Sequence, residues 1–173
     1  ILIKGGTYLE DARLLKAVAL DKTGTITEGK PKLVKWQVWG AGEEAAVQQM
    51  AASLAARSEH PVSKAIVQGL DVKGPEADSF KALPGRGGEG MVNGVRLMLG
   101  NHRLIHEQGL CGPELEAELV IHEKQGRTVT LLADDSGVLA LFAVADTIRE
   151  TSKQAFVDLK ALGVTSVMLT GDN

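Results

Sequence analysis

Two short apolar runs, far apart in the chain, are each stopped by an acid-bearing polar loop. Ala17-Val18-Ala19-Leu20 meets Asp21, and Ser166-Val167-Met168-Leu169 meets Thr170-Gly171-Asp172. Runs of this kind read as strands of a parallel sheet, where two covered faces demand apolar residues on both sides. Ahead of the second run, Ala155, Phe156, Leu159 and Leu162 follow a helical period, Thr147 and Glu150 have capping-box spacing, and Gly163 is placed as a helix stop. A helix feeding a strand is the repeating step of a parallel α/β sheet. Ligands bind beyond the carboxyl ends of such strands, so Asp21 and Asp172 are expected to share one edge. The strands then belong to one domain in two pieces, residues 1–30 and 144–173, with residues 31–143 inserted between them.

The insert has a different pattern. Glu43 to Ala56 is Ala-rich and helical, and Pro61 opens a second helix through Leu70. Short strands are predicted over Ser79–Leu83, Gly90–Val92, Val95–Leu99, Thr128–Ala133 and Val138–Ala145. Asn93-Gly94 and Asp134-Asp135-Ser136-Gly137 are the hairpin turns between them. A helix from Pro113 to Lys124, stopped by Gly126, is expected to pack by Leu115, Leu119 and Val120. Hairpins imply an antiparallel sheet, so the insert reads as α+β, an antiparallel sheet flanked by helices. Trp36 and Trp39 differ in strand parity and cannot share a sheet face, so at least one is expected to be exposed or at an interface.

Several function classes fall away on composition. The 19 basic and 22 acidic residues leave a net charge of -3 with no polybasic block, so no nucleic-acid partner is expected. One cysteine, Cys111, allows no internal disulfide framework, and no CxxC is present. The longest apolar stretch, Val138–Ala145, is far short of the roughly 20 residues that cross a bilayer, and there is no secretory signal. The abrupt start at Ile1-Leu2-Ile3 and end at Asp172-Asn173 suggest a soluble, monomeric piece of something longer.

A carboxylate at a strand end can be a metal ligand, a base, a nucleophile, or the cap of its own turn. Its neighbours here favour phosphorus chemistry: Lys22 supplies positive charge, while Thr23, Thr25 and the amides around Gly24 supply donors for phosphoryl oxygens. Attack by Asp21 on phosphorus, with Mg2+ offsetting the repulsion between two anions, would form an aspartyl phosphate.

The string Asp21-Lys22-Thr23-Gly24-Thr25-Ile26-Thr27 resembles the phosphorylation motif of P-type ATPases. Further matches follow in order: Lys4-Gly5-Gly6 with Leu9-Glu10, Ser58-Glu59-His60-Pro61, Gly85-Arg86-Gly87-Gly88-Glu89-Gly90, Gly100-Asn101, Asp146 with Arg149, and Thr170-Gly171-Asp172. The Ser-Glu-His-Pro string and the two glycine-bearing strings are similar to those of the subfamily that pumps heavy-metal ions, and the likeness covers essentially the whole chain. It implies a partial haloacid-dehalogenase-like phosphorylation domain interrupted by a nucleotide-binding domain, both cytoplasmic parts of an integral membrane protein. The partners it implies are ATP and the remaining membrane and actuator domains of the parent pump.

The resemblance also implies roles. Asp21 would accept the γ-phosphate with Lys22 and Thr23 beside it, Asp21 and Thr23 would hold Mg2+, Thr170 would hold a phosphoryl oxygen, and Gly171 and Asp172 would order the catalytic loop. Glu59 and His60 would meet the purine together with Gly85, Gly87, Gly88, Gly90, Gly100 and Asn101, while Asp146 and Arg149 would position phosphates or the hinge. Read without the resemblance, His60 is a helix-start residue, Asn101 a helix cap, Asp146 and Arg149 a surface ion pair, and the glycine string a flexible loop. Related phosphatases carry a second Asp two residues after the nucleophile; here that position is Thr23, which disfavours rapid hydrolysis of the intermediate. A soluble phosphatase and a nucleotide-sensing module with an idle Asp21 are the competing readings.

His102 and His106 stand at i,i+4, with Cys111 and His122 elsewhere. Without an acidic or thiolate third ligand at firm spacing, the pair reads as a solvated helix face. Glu114, Glu116 and Glu118 read as the polar side of a helix.

Overall fold

The computed structural model describes residues 5–169. Thr170, Gly171 and Asp172, and Lys4 of the lead-in, lie outside the described residues. The chain divides into two compact units, one of Ile1–Lys30 with Asp146–Asn173 and one of Pro31–Ala145.

In the first unit, α1 (Gly6–Asp11) leads to β1 (Ala17–Asp21), a tight turn over Lys22–Ile26, and the start of β2 (Thr27–Val38). The chain returns along the end of β7 (Val138–Ile148) into α6 (Glu150–Ala161) and β8 (Thr165–Leu169). β1 and β8 pair in parallel, from Ala17 opposite Thr165 to Asp21 opposite Leu169. Gly163, at φ 73, stops α6. Gly163 N–H donates to Lys160 O (3.1 Å) and Val164 N–H to Leu159 O (2.9 Å), satisfying carbonyls that the helix end would orphan. The capping box predicted from Thr147 and Glu150 does not form. Thr147 and Ile148 remain extended as the end of β7, and the N-cap is Arg149, whose own N–H is taken by Ile26 O at 3.0 Å.

In the second unit, a six-stranded sheet runs in the order β2-β7-β6-β5-β4-β3, with β3 (Asp78–Leu83), β4 (Gly87–Val92), β5 (Val95–Gly100) and β6 (Thr128–Ala133). It is antiparallel from β3 through β7. Two helices, α2 (Glu44–Ala55) and α3 (Pro61–Leu70), cover one face, and α4 (His102–Glu107) and α5 (Pro113–Lys124) cover the other. Alternation sorts the core: Leu97, Leu99, Leu132, Ala140, Phe142 and Val144 meet α2 and α3, while Met98, Leu131, Leu141 and Ala143 meet α4 and α5. A central strand covered on both faces has no polar side, which is why Val138–Ala145 reads as unbroken apolar sequence.

Trp36 and Trp39 fall on opposite faces as parity requires, but both are half-buried. Trp36 stacks on Phe142 with ring centroids 6.1 Å apart, and Trp39 joins the other cluster. Val120 is exposed instead of packed, because the buried stripe of α5 is Leu115, Leu119 and His122. Asn93-Gly94, at φ 50 and 78, is the left-handed pair of a type I′ hairpin. Most of the glycine string is strand: β4 begins at Gly87 and pairs with neighbours on both sides. Among the described residues, no helix is long and apolar enough to cross a membrane.

Candidate functional site

Asp21 is exposed at the carboxyl end of β1. The next residues form a type II turn, with Thr23 at φ -78, ψ 120 and Gly24 at φ 76, ψ -11. The second central position of that turn needs positive φ, which only glycine adopts without strain. Thr27, 2% exposed, holds the turn from inside: its Oγ1 accepts from Gly24 N at 3.1 Å and lies 3.1 Å from Lys22 O. That hydroxyl proton goes to Asp146 Oδ2 at 2.5 Å. Asp146 also accepts from Gly29 N and Lys30 N, each at 3.1 Å. Arg149 reaches the same loop, donating from Nε to Thr27 O (2.9 Å) and from Nη2 to Gly24 O (3.2 Å).

Asp146 and Arg149 are therefore not a surface ion pair. They bond the backbone of residues 24–30 and the Thr27 hydroxyl, so the returning chain clamps the loop that follows Asp21. Nothing in the sequence separates Thr27, which is buried, from Thr23 and Thr25, which are exposed, because the turn at Gly24 breaks their alternation. Asp21, Lys22 and Thr23 are contiguous, and Asp146 and Arg149 join them in the first unit. β8 ends at Leu169, opposite Asp21; Thr170, Gly171 and Asp172 lie outside the described residues.

The second unit carries a cleft of about 390 Å³ between the start of α3, the β3–β4 turn, and β5 and β6. That volume is within the range of small-molecule sites, roughly 300–1,000 Å³. His60, Gly85, Gly87, Gly100 and Asn101 line it. His60 is also the N-cap of α3, its Nδ1 accepting from Val62 N at 3.3 Å, so the helix-start reading and the cleft reading both hold. With Nδ1 so used, the neutral ring carries its proton on Nε2. The turn Leu83-Pro84-Gly85-Arg86 closes by Arg86 N–H to Leu83 O at 3.0 Å, with Gly85 at φ 69. Asn101 ties this turn to α4, donating from Nδ2 to Gly85 O (2.9 Å) while Oδ1 accepts from Leu104 N (3.1 Å).

The glycines serve different needs. A Cβ at Gly87 would lie 2.2 Å from Leu99 O, and one at Gly100 would lie 2.4 Å from Arg86 O, so these two let the turn and β5 close together. Gly88 and Gly90 are buried and do not line the cleft; a Cβ there would meet the Phe80 ring at 2.7 Å or Leu54 Cδ1 at 2.9 Å. Glu59 also stands outside the lining, 93% exposed, with Oε2 2.5 Å from Lys64 Nζ. The hydrogen bond from Lys64, then its charge, holds the Glu59 carboxyl below its ordinary range. Pro84, Thr128 and Thr130, which no motif marks, also line the cleft.

An aspartate at a strand end beside a glycine turn, with an inserted sheet domain that opens a cleft of its own, defines a class. The family model of haloacid dehalogenase-like hydrolases matches residues 15–173, and the chain belongs to that family. Its relatives there are heavy-metal P-type ATPases. A copper-exporting P-type ATPase of Bacillus subtilis (strain 168) is 39% identical over 176 residues, covering 100% of this chain and 22% of that protein. A probable cadmium-transporting ATPase of Staphylococcus aureus (strain MRSA252) is 36% identical over 182 residues, covering 100% of this chain and 25% of that protein. The chain thus spans about a quarter of the length of these curated relatives. Among solved structures, a zinc-transporting PIB-type ATPase in its E2.Pi state superposes with a TM-score of 0.79 at 36% identity, over 99% of this chain and 28% of that one. The catalytic domain of the CPx-ATPase CopB-B shares the fold, with a TM-score of 0.71 at 22% identity over 100% of this chain and 60% of that one.

Proposed function

We propose that this chain is the ATP-binding and aspartyl-phosphorylation portion of a heavy-metal cation-transporting P-type ATPase, lying on the cytoplasmic side of the parent pump. The observation that carries the reading is the clamped turn behind Asp21, which holds a carboxylate exposed at a strand end while fixing the amides beside it. ATP sits in the cleft of the second unit. His60 packs against the purine, Gly85 and Gly87 let backbone approach it, and Glu59 leaves its exposed pairing with Lys64 to accept from the adenine amino group.

Asp21 supplies a carboxylate oxygen to the γ-phosphorus of ATP. The new O–P bond forms as the bond from that phosphorus to the β-γ bridging oxygen breaks, and ADP leaves with the electron pair. Lys22 and the amides flanking Gly24, whose own N–H is held by Thr27 Oγ1, receive the γ-phosphate oxygens, and Arg149 and Asp146 keep the loop in register. The donors fit Mg2+, a hard cation that prefers oxygen: the exposed carboxylate of Asp21 and the carbonyl of Thr23 would hold it. When bound, the ion neutralises charge shared between carboxylate and phosphate. Thr23 offers no carboxyl group to activate water, so the aspartyl phosphate persists, which a pump requires and a phosphatase does not.

Titration of ATP into this chain by calorimetry tests the cleft. His60→Ala and Gly85→Val are expected to weaken binding at least tenfold with the circular dichroism spectrum unchanged, and unchanged affinity in both would remove the site.

A further inference from the structure

The side chains of His102 and His106 do not form a plain solvated face. One helical turn apart on α4, their ring centroids lie 5.5 Å from each other. The helix is seated by buried Leu104 and Ile105 and capped by Asn101, which fixes where its outer face points. The helix ends at Glu107, and the chain turns at Gly109 (φ 73), where Gly109 N–H donates to His106 O (2.9 Å) and Leu110 N–H to Ile105 O (3.3 Å). That turn sends the chain back along the helix, so the half-buried Cys111 stands beside the two rings. Pro113 then starts α5, anchored by buried Leu115 and Leu119, and Glu116, flanking that buried stripe, reaches the two rings. Glu116 Oε1 is 2.8 Å from His102 Nε2 and 3.7 Å from His106 Nδ1. One ligand atom from each of His102, His106, Cys111 and Glu116 lies within 4.8 Å of all the others.

We propose that these four residues are a binding site for a single borderline-soft divalent transition-metal ion of the zinc class. Two imidazoles, a thiolate and a carboxylate are the donor types zinc takes, at four-coordinate geometry. Nitrogen and sulfur donors disfavour Mg2+ and Ca2+, which demand oxygen. Ligand atoms around zinc stand roughly 3.3 to 3.8 Å apart, as bonds of about 2.0 to 2.3 Å at tetrahedral angles require. The widest separation therefore closes by about an ångström while His102 Nε2 and Glu116 Oε1, now 2.8 Å apart, open by about half an ångström, within reach of rotation of His106, whose side chain is 69% exposed and leaves the ion an entry path. Charge also balances: thiolate and carboxylate together match the two positive charges of the ion.

Binding exchanges protons in a defined way. The Cys111 S–H bond breaks and its proton goes to solvent as the sulfur–metal bond forms. His102 moves its ring proton to Nδ1, freeing Nε2, and Glu116 trades the hydrogen bond from that nitrogen for the ion. Glu107 does not compete, because Arg86 and Arg103 hold its two oxygens. Sequence spacing hides the site, since the thiol and carboxylate come from the loop and the next helix, not from the His-x-x-x-His turn itself.

The test is titration of Co2+ into the full 173-residue chain, reduced and metal-free, followed by displacement with Zn2+. The expected result is saturation at one equivalent, with tetrahedral visible absorption and a near-ultraviolet thiolate charge-transfer band that Zn2+ abolishes. Cys111→Ser loses the charge-transfer band, and His106→Ala and Glu116→Gln each weaken Zn2+ at least tenfold, with circular dichroism reporting that the fold is kept. Glu114→Gln, on the same helix but outside the cluster, binds as the unaltered chain does. Absence of saturable binding, or binding that survives unchanged in Cys111→Ser and in whichever of the other two variants folds, overturns the proposal.

Discussion

Thr27 hands its hydroxyl proton to Asp146, 2.5 Å away and 119 residues further along the chain. The contact joins the two pieces of the first unit at the loop that follows Asp21. Because Asp146 also accepts from Gly29 N and Lys30 N, one carboxylate satisfies three donors.

Asp146→Ala removes that acceptor, so the Thr27 hydroxyl turns to Lys22 O, 3.1 Å away, and the exposed amides of Gly29 and Lys30 turn to water. The expected cost is about 1 kcal/mol, the net value of hydrogen bonds whose donors find other partners. Urea unfolding of the first unit's signal measures it. Thr27→Val, which keeps the shape but removes both the acceptor of Gly24 N and the donor to Asp146, is expected to cost at least as much.

Glycine placement yields a contrast. At Gly85 a Cβ would meet nothing within 4 Å, so Gly85→Ala bears only the strain of φ 69, about 1 kcal/mol. At Gly87 a Cβ would lie 2.2 Å from Leu99 O and 2.4 Å from Gly100 Cα, so Gly87→Ala must force β4 and β5 apart. Thermal melts are expected to rank Gly87→Ala well below Gly85→Ala.

His122 supplies a pH dependence. It is 1% exposed, and burial first, then the charge of Lys35, pushes its pKa below the ordinary value, outweighing Glu118, whose Oε1 lies 3.2 Å from Nε2. A histidine with a depressed folded pKa takes up its proton more readily when unfolded. Stability is therefore full above the unfolded value of about 6.5 and falls as pH drops through it toward the lower folded pKa. Denaturant midpoints measured between pH 7.5 and 5 are expected to decline, and His122→Gln to flatten that part of the decline.

Much of this was legible in the sequence because it rests on local rules. Leu20 meeting Asp21, Asn93-Gly94 at a hairpin, and Pro61 opening α3 are each decided within a few residues. Long-range competition decided the rest. Thr147 and Glu150 have the spacing of a cap, yet Ile26 O takes the N–H of Arg149, and no pattern near Thr147 shows it. The glycine string reads as a loop because strands rarely carry so many, whereas Phe80 and Leu54 press on Gly88 and Gly90 from beneath the sheet. Glu116 closing on His102 is a meeting of two helices that spacing along one of them cannot reveal.

The most direct measurement is covalent label from γ-phosphate-labelled ATP on this chain within the parent pump proposed above. The account predicts a label stable in acid and released by hydroxylamine, as an acyl phosphate is, present with Asp21 and absent in Asp21→Asn. A label of the same yield in Asp21→Asn would contradict it.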